Sequence, residues 1–103
     1  VKRSQADIRF SRQIRERDQW TCQRCKQRHA ENSRGLHCAH MFTRRTGATR
    51  FDPDNACALC YGCHQYLDSH PAEKLAFFRA LLGDERFDAL ASRAHAKRDR
   101  ISA

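Results

Sequence analysis

Four of the six cysteines stand in two Cys-x-x-Cys pairs, Cys22 with Cys25 and Cys60 with Cys63. A pair at that spacing offers two thiolates to one point, and two pairs complete the tetrahedral sulfur set that holds structural zinc. His37, His40 and Asn55 lie between the pairs, and His64 follows Cys63 directly. Neutral imidazole is both a metal ligand and a base near physiological pH. The zinc therefore closes a long loop, and that loop together with His64 is read as a second, catalytic metal site. Cys38 and Cys57 are surplus thiols and are expected as small buried apolar residues. Cys57 would replace a ligand only in a shifted zinc register.

At 103 residues the chain is one domain, 1–103, with a limited core that gains from a metal staple. Two Cys-x-x-Cys pairs point to metal in a reducing, cytoplasmic compartment rather than to a secreted disulfide scaffold. No signal peptide and no membrane-length apolar run is visible, so no membrane partner is expected. The net charge of +8 favours a polyanionic partner, DNA foremost. Charge alone gives no activity, since a basic RNA-binding protein shows the same balance.

These side chains need elements to hold them. Residues 1–17 read as a basic helix with Ser4 as N-cap, Asp7 in the capping-box position, and Ile8, Phe10 and Ile14 as an apolar stripe. Its arginines either lie along phosphates or form a solvated face. Trp20, just before the first cysteine, is expected to shield the zinc. Residues 36–42 read as a strand, so His37 and Ala39 share one face while Cys38 and His40 share the other. A basic turn follows, with Arg50 and Phe51 expected to return as the second strand of a hairpin. Arg44, Arg45 and Arg50 are candidate phosphate contacts, because guanidinium forks match phosphate oxygens. Residues 52–55 read as a turn, and a helix is expected from about Cys60 through His64 towards Asp68. Pro71 opens a helix buried through Leu75, Phe78 and Leu82, and Gly83 stops it. A last helix follows, with Phe87, Leu90, Ala91 and Ala94 on its inner side. Two helices thus span 69–96, and 97–103 reads as a basic tail.

The order Cys-x-x-Cys, His40, Asn55, Cys-x-x-Cys-His64 resembles the HNH endonucleases, also called ββα-metal or His-Me finger nucleases. The resemblance covers about residues 18–68. Within the family the cysteine pairs match its zinc-stapled members. The run Leu-His-Cys-Ala-His-Met-Phe-Thr-Arg-Arg, with Thr-Arg-Phe-Asp-Pro-Asp-Asn after it, is similar to phage- and prophage-encoded members, including NinG-like recombination proteins.

That resemblance implies a small α+β fold: a zinc-stapled ββα-metal core with flanking N-terminal and C-terminal helices. It also implies metal-dependent hydrolysis of DNA phosphodiester bonds. His40 would be the general base, with Mg2+ or Mn2+ as the catalytic cation near His64. Asn55 would either ligate that cation or hydrogen-bond the loop that carries His40. Many family members place a metal-binding Asp or His directly before the base, where this chain has Ala39. His37 is the favoured substitute, about 6–7 Å further back along the strand, and Asp68, one helical turn after His64, is the other. Magnesium keeps several waters, so few protein ligands suffice. No dimer seam is visible; a monomer is expected to nick, while a dimer cutting both strands stays open. The rival readings are a non-catalytic zinc module that binds nucleic acid and a protein-interaction finger.

Overall fold

The computed structural model describes the backbone of residues 2–102 and the side chains of residues 2–96. Helix α1 (Gln5–Arg17) begins where the sequence places it. Ser4 Oγ accepts from the Asp7 amide while the Asp7 carboxylate accepts from the Ser4 amide, a complete capping box. Phe10 and Ile14 are buried, but Ile8 is left exposed.

Strand β1 (Leu36–His40) pairs antiparallel with β2 (Ala56–Cys60), His37 opposite Leu59 and His40 opposite Ala56. This corrects the expected hairpin. Arg50 and Phe51 lie in the connecting loop, which has only two short 3-10 turns, Gly47–Thr49 and Pro53–Asn55. The reason is burial on both sides of the ribbon. Cys38 and Ala56 pack against Phe10 and Ile14 of α1. Ala39, Cys57 and Leu59 pack against Leu67, Phe78 and Phe87. A strand covered on both faces needs a continuous apolar run, which Ala-Cys-Ala-Leu supplies and Arg-Phe does not.

Helix α2 (Tyr61–Ser69) follows β2 without a break, then α3 (Pro71–Leu82) and α4 (Asp84–Ser102). Phe78 is fully enclosed, whereas Leu75 is 43% exposed and drops out of the expected stripe. Gly83 ends α3 at φ 87°, a conformation that glycine adopts at little cost. Phe87, Leu90 and Ala94 face inward as expected. The backbone of α4 continues through the expected tail to Ser102, while the side chains of 97–103 lie outside the described residues. Arg86 and Arg93 of α4 pair with Asp54 and Asp52, bracing the turn that leads into Asn55.

The outer edge of β2 is occupied. Ala58 donates its amide to Asp18 Oδ2 at 2.8 Å and accepts from the Gln23 amide at 2.9 Å. Arg17 donates to the Ala56 carbonyl at 2.8 Å. The chain is thus a small α+β fold: among the described residues, a two-stranded sheet with four α-helices around it. No helix among them is long and apolar enough to cross a membrane.

Candidate metal centre and active-site cleft

The first cysteine pair sits on a turn that α1 feeds directly. Gln19 and Trp20 take positive φ values of 57° and 54°, reversing the chain so that Thr21 bridges to Arg28. Lys26, just past Cys25, has φ 67° and donates its amide to the Cys22 carbonyl at 2.9 Å. The second pair is built differently. Cys60 ends β2 and is also the N-cap of α2, its sulfur accepting from the Cys63 amide at 3.4 Å. The Cys25 amide likewise points at Cys22 Sγ, at 3.5 Å. Amides aimed at sulfur favour the thiolate, the form that binds metal. For Cys22, burial opposes ionisation, but hydrogen bonds from the backbones of Cys25, Cys60 and Arg24 outweigh it and bring the thiol down to about 7. Burial pushes Cys63 up to about 12, and the Arg24 guanidinium at 3.4 Å from its sulfur only partly opposes that.

All four sulfurs lie within 4.8 Å of one another, and Cys25 Sγ is 3.8 Å from Cys60 Sγ. Four thiolates about 2.3 Å from one zinc stand roughly 3.8 Å apart in a tetrahedron, so the donor set fits that ion. Trp20 is half-buried and packs against the core cluster that contains Cys22 and Cys63. Cys38 and Cys57 stay out of the cluster; burial raises the Cys38 thiol to about 12 and raises Cys57 further.

His40 ends β1 with its ring 5.7 Å from that of Phe10. Its Nε2 lies 3.2 Å from the Arg50 carbonyl oxygen. A carbonyl only accepts, so Nε2 carries the proton and the lone pair of the neutral ring sits on Nδ1. Burial lowers the His40 pKa; the Arg50 carbonyl opposes that shift without reversing it. Asn55 is fully buried and wholly committed to the loop. Its Oδ1 accepts from the Phe42 amide at 2.8 Å, and its Nδ2 donates to the carbonyls of Phe42 and Thr49 at 2.8 and 3.0 Å. These bonds tie Asn55 to the loop that follows His40, and its Oδ1 accepts one of the two bonds an amide oxygen can take.

The ring that meets His64 is His37, not His40. Their Nδ1 atoms are 2.9 Å apart. His64 Nε2 lies 3.3 Å from Asp68 Oδ2, and Asp68 Oδ1 accepts from Lys74 Nζ at 2.9 Å. With its proton on Nε2, towards the Asp68 carboxylate, neutral His64 would turn its Nδ1 lone pair towards His37. Burial lowers the His64 pKa and Asp68 opposes the shift. Asp68 thus lies between His64 and Lys74. Two converging imidazole nitrogens can hold a divalent cation, and nitrogen donors favour a borderline transition ion over magnesium.

His37, His40 and His64 all line one cleft of about 990 Å³, between α1 on one side and α2 and α3 on the other. His37 and His40 leave β1 on opposite faces yet open into the same space. Arg3, Arg15, Arg34, Arg44 and Lys74 line it too, against the acids Asp7 and Asp68. Of the three expected phosphate contacts, only Arg44 lies there, with its Nη1 3.6 Å from Asp7 Oδ2. Arg45 is exposed outside the lining. Arg50 is turned to Asp7, with Nε to Oδ1 at 2.9 Å and Nη2 to Oδ2 at 2.5 Å, and so leaves the set of free phosphate clamps. The α1 arginines divide likewise. Arg12 pairs with Glu16 and Glu31, Arg17 binds the Pro53 and Ala56 carbonyls, and Arg9 is exposed outside the lining, while Arg15 lines the cleft with its Nε bonded to the Ser11 carbonyl at 3.2 Å. Arg34 and Lys74 carry no pattern in the sequence; only the fold brings them in.

Among known proteins, no family model matches this chain, and neither a curated protein nor a solved structure matches it.

Proposed function

We propose that the chain is an HNH-type endonuclease that hydrolyses DNA phosphodiester bonds with a divalent cation, its four-cysteine cluster holding a structural zinc. The carrying observation is His40. Its proton is committed to the Arg50 carbonyl, its basic nitrogen is Nδ1, and burial keeps the ring neutral, within a cationic cleft shared with His37 and His64.

His40 Nδ1 would take the proton of the attacking water as its oxygen bonds to phosphorus. The bond to the 3′ oxygen breaks, that oxygen takes a proton from solvent, and the products are 5′-phosphate and 3′-hydroxyl ends. His37 and His64 are the residues that would hold the divalent cation, Mn2+ in preference to Mg2+ given two nitrogen donors, and it would offset charge on the phosphate and the departing oxygen. Asn55 keeps the loop beside the base in place, while Arg34 and Arg44 draw the phosphate backbone in. Ala39, which stands where many HNH nucleases carry a ligand, is 0% exposed and packed among apolar side chains. A larger donor has no room there, and His37 is the replacement.

A supercoiled-plasmid assay on the zinc-loaded protein tests this. Nicking that requires Mn2+ or Mg2+, stops with chelator and is lost in His40→Ala is the expected result. A gel shift with no nicking under any divalent cation would leave a zinc module that only binds nucleic acid.

A further inference from the structure

Asp7 is one of two acids, with Asp68, in the wall of a cationic cleft; it is only 7% exposed, and Arg44 Nη1 lies 3.6 Å from its Oδ2. An anion there opposes DNA binding, so it needs another reason to be present. Helix capping accounts for part of its bonding. Oδ2 accepts from the Ser4 amide at 2.7 Å and from Ser4 Oγ at 2.9 Å. Oδ1 takes no part in the cap; it accepts from Arg50 Nε at 2.9 Å, and Arg50 Nη2 adds the parallel bond to Oδ2. The same guanidinium donates to the Lys2 carbonyl at 3.2 Å. The peptide carbonyl of Arg50 is the acceptor that holds His40 Nε2.

No strand ladder fixes position 50, since the loop between β1 and β2 has only its two 3-10 turns. A two-bond fork onto a buried carboxylate sets both the distance and the plane of an arginine. We propose that Asp7 is a positioning residue for His40, acting through Arg50. Helix α1 then holds the imidazole twice, with Phe10 against the ring and Asp7 behind the carbonyl that orients it. This rests on the reading of His40 as the base, but the orientation itself can be measured without cleavage.

The test uses the zinc-loaded full chain at about pH 8, where the ring is neutral. Long-range 1H–15N spectra report the His40 tautomer, and single-turnover cleavage is followed in parallel. The variants are Asp7→Asn, Arg50→Lys and the double variant, each held well below its own Tm. Ser4→Ala serves as control, because it weakens the helix start but leaves the fork. Wild type and Ser4→Ala are expected to show His40 protonated on Nε2 alone. Asp7→Asn and Arg50→Lys should each give mixed tautomers and lower kcat about 10- to 100-fold, with KM within about twofold. The double variant should be no worse than the worse single one, as for residues in one chain of contacts. A pure Nε2–H tautomer in both single variants overturns the proposal, as do losses that simply multiply in the double variant. If wild type cleaves nothing, the nuclease reading fails, and the tautomer alone decides the role of Asp7.

Discussion

His37 and His64 face each other through the same ring atom, Nδ1 to Nδ1 at 2.9 Å. Only one proton fits between two such nitrogens, and Asp68 already engages the far nitrogen of His64 at 3.3 Å. One tautomer places a single hydrogen bond there; with both rings protonated on Nε2, the two lone pairs converge as a cation needs. In the proposed enzyme, His37→Ala should raise the Mn2+ concentration for half-maximal nicking about tenfold or more, judged by the cost of weakening metal sites elsewhere. Isothermal titration with Mn2+ on the zinc-loaded protein checks this without DNA. Unchanged Mn2+ binding would remove His37 from the ligand set.

His40→Gln keeps the size of the ring site but loses the base. Nicking should fall about 10²- to 10⁴-fold, the usual scale for a general base, while the far-ultraviolet spectrum stays that of wild type. Because burial lowers the pKa of His40 below that of an unfolded histidine, the wild-type rate should hold as pH falls past about 6.5. Stability follows the same sign. Between the unfolded and folded pKa values the unfolded chain binds more protons, so stability is lost as pH falls through that window. Urea midpoints from pH 7.5 to pH 5 should decline less steeply in His40→Gln; parallel curves would show that His40 does not titrate differently on folding.

Asn55→Ala would strand the Phe42 amide and the carbonyls of Phe42 and Thr49 inside the protein. A loss of about 3 kcal/mol or more is expected, since each of the three unpaired groups costs about 1–3 kcal/mol. Mn2+ affinity should stay near wild type, because the amide holds a loop rather than an ion. A selective loss of metal binding with intact stability would reinstate Asn55 as a ligand.

Much of this was legible in advance, and the failures have physical causes. The cysteine spacing fixes a tight sulfur turn whatever surrounds it, so both pairs were readable. Ser4 with Asp7, and Pro71 with Gly83, are local signals and gave helix ends. Strand β2 was missed because Ala56 to Leu59 lacks alternation, and a short all-apolar run reads as helix or strand alike. Arg50 was misread because its partner Asp7 lies on another element, and no sequence period couples two such positions. His37 was chosen as the substitute ligand from its place on the strand, while its pairing with His64 needed the register.

Lys26 holds φ 67° in the turn after Cys25, and its side chain is exposed. A left-handed conformation costs a non-glycine residue about 1–2 kcal/mol. Glycine relieves that but frees the unfolded chain by about 0.5–1 kcal/mol. Lys26→Gly should therefore gain about 0.5–1 kcal/mol net, a rise of a few degrees in Tm for a domain this size. Calorimetry at saturating zinc measures it, and a lowered Tm would mean that the lysine contributes something beyond its backbone.

The side chain of Asp18 and the amide of Gln23 lie along β2, and Gln23 belongs to the first cysteine turn itself. A zinc bound to the sulfur cluster would fix that turn, so the edge bonds and the ion would stand or fall together. Stripped of zinc, the ribbon would present unpaired amides that can template stacking of one chain on another. Chelation is then expected to yield thioflavin-positive assemblies from a solution that stays clear with zinc, and a clear chelated sample would refute it. A zinc held there would guard against fibres as much as support the fold.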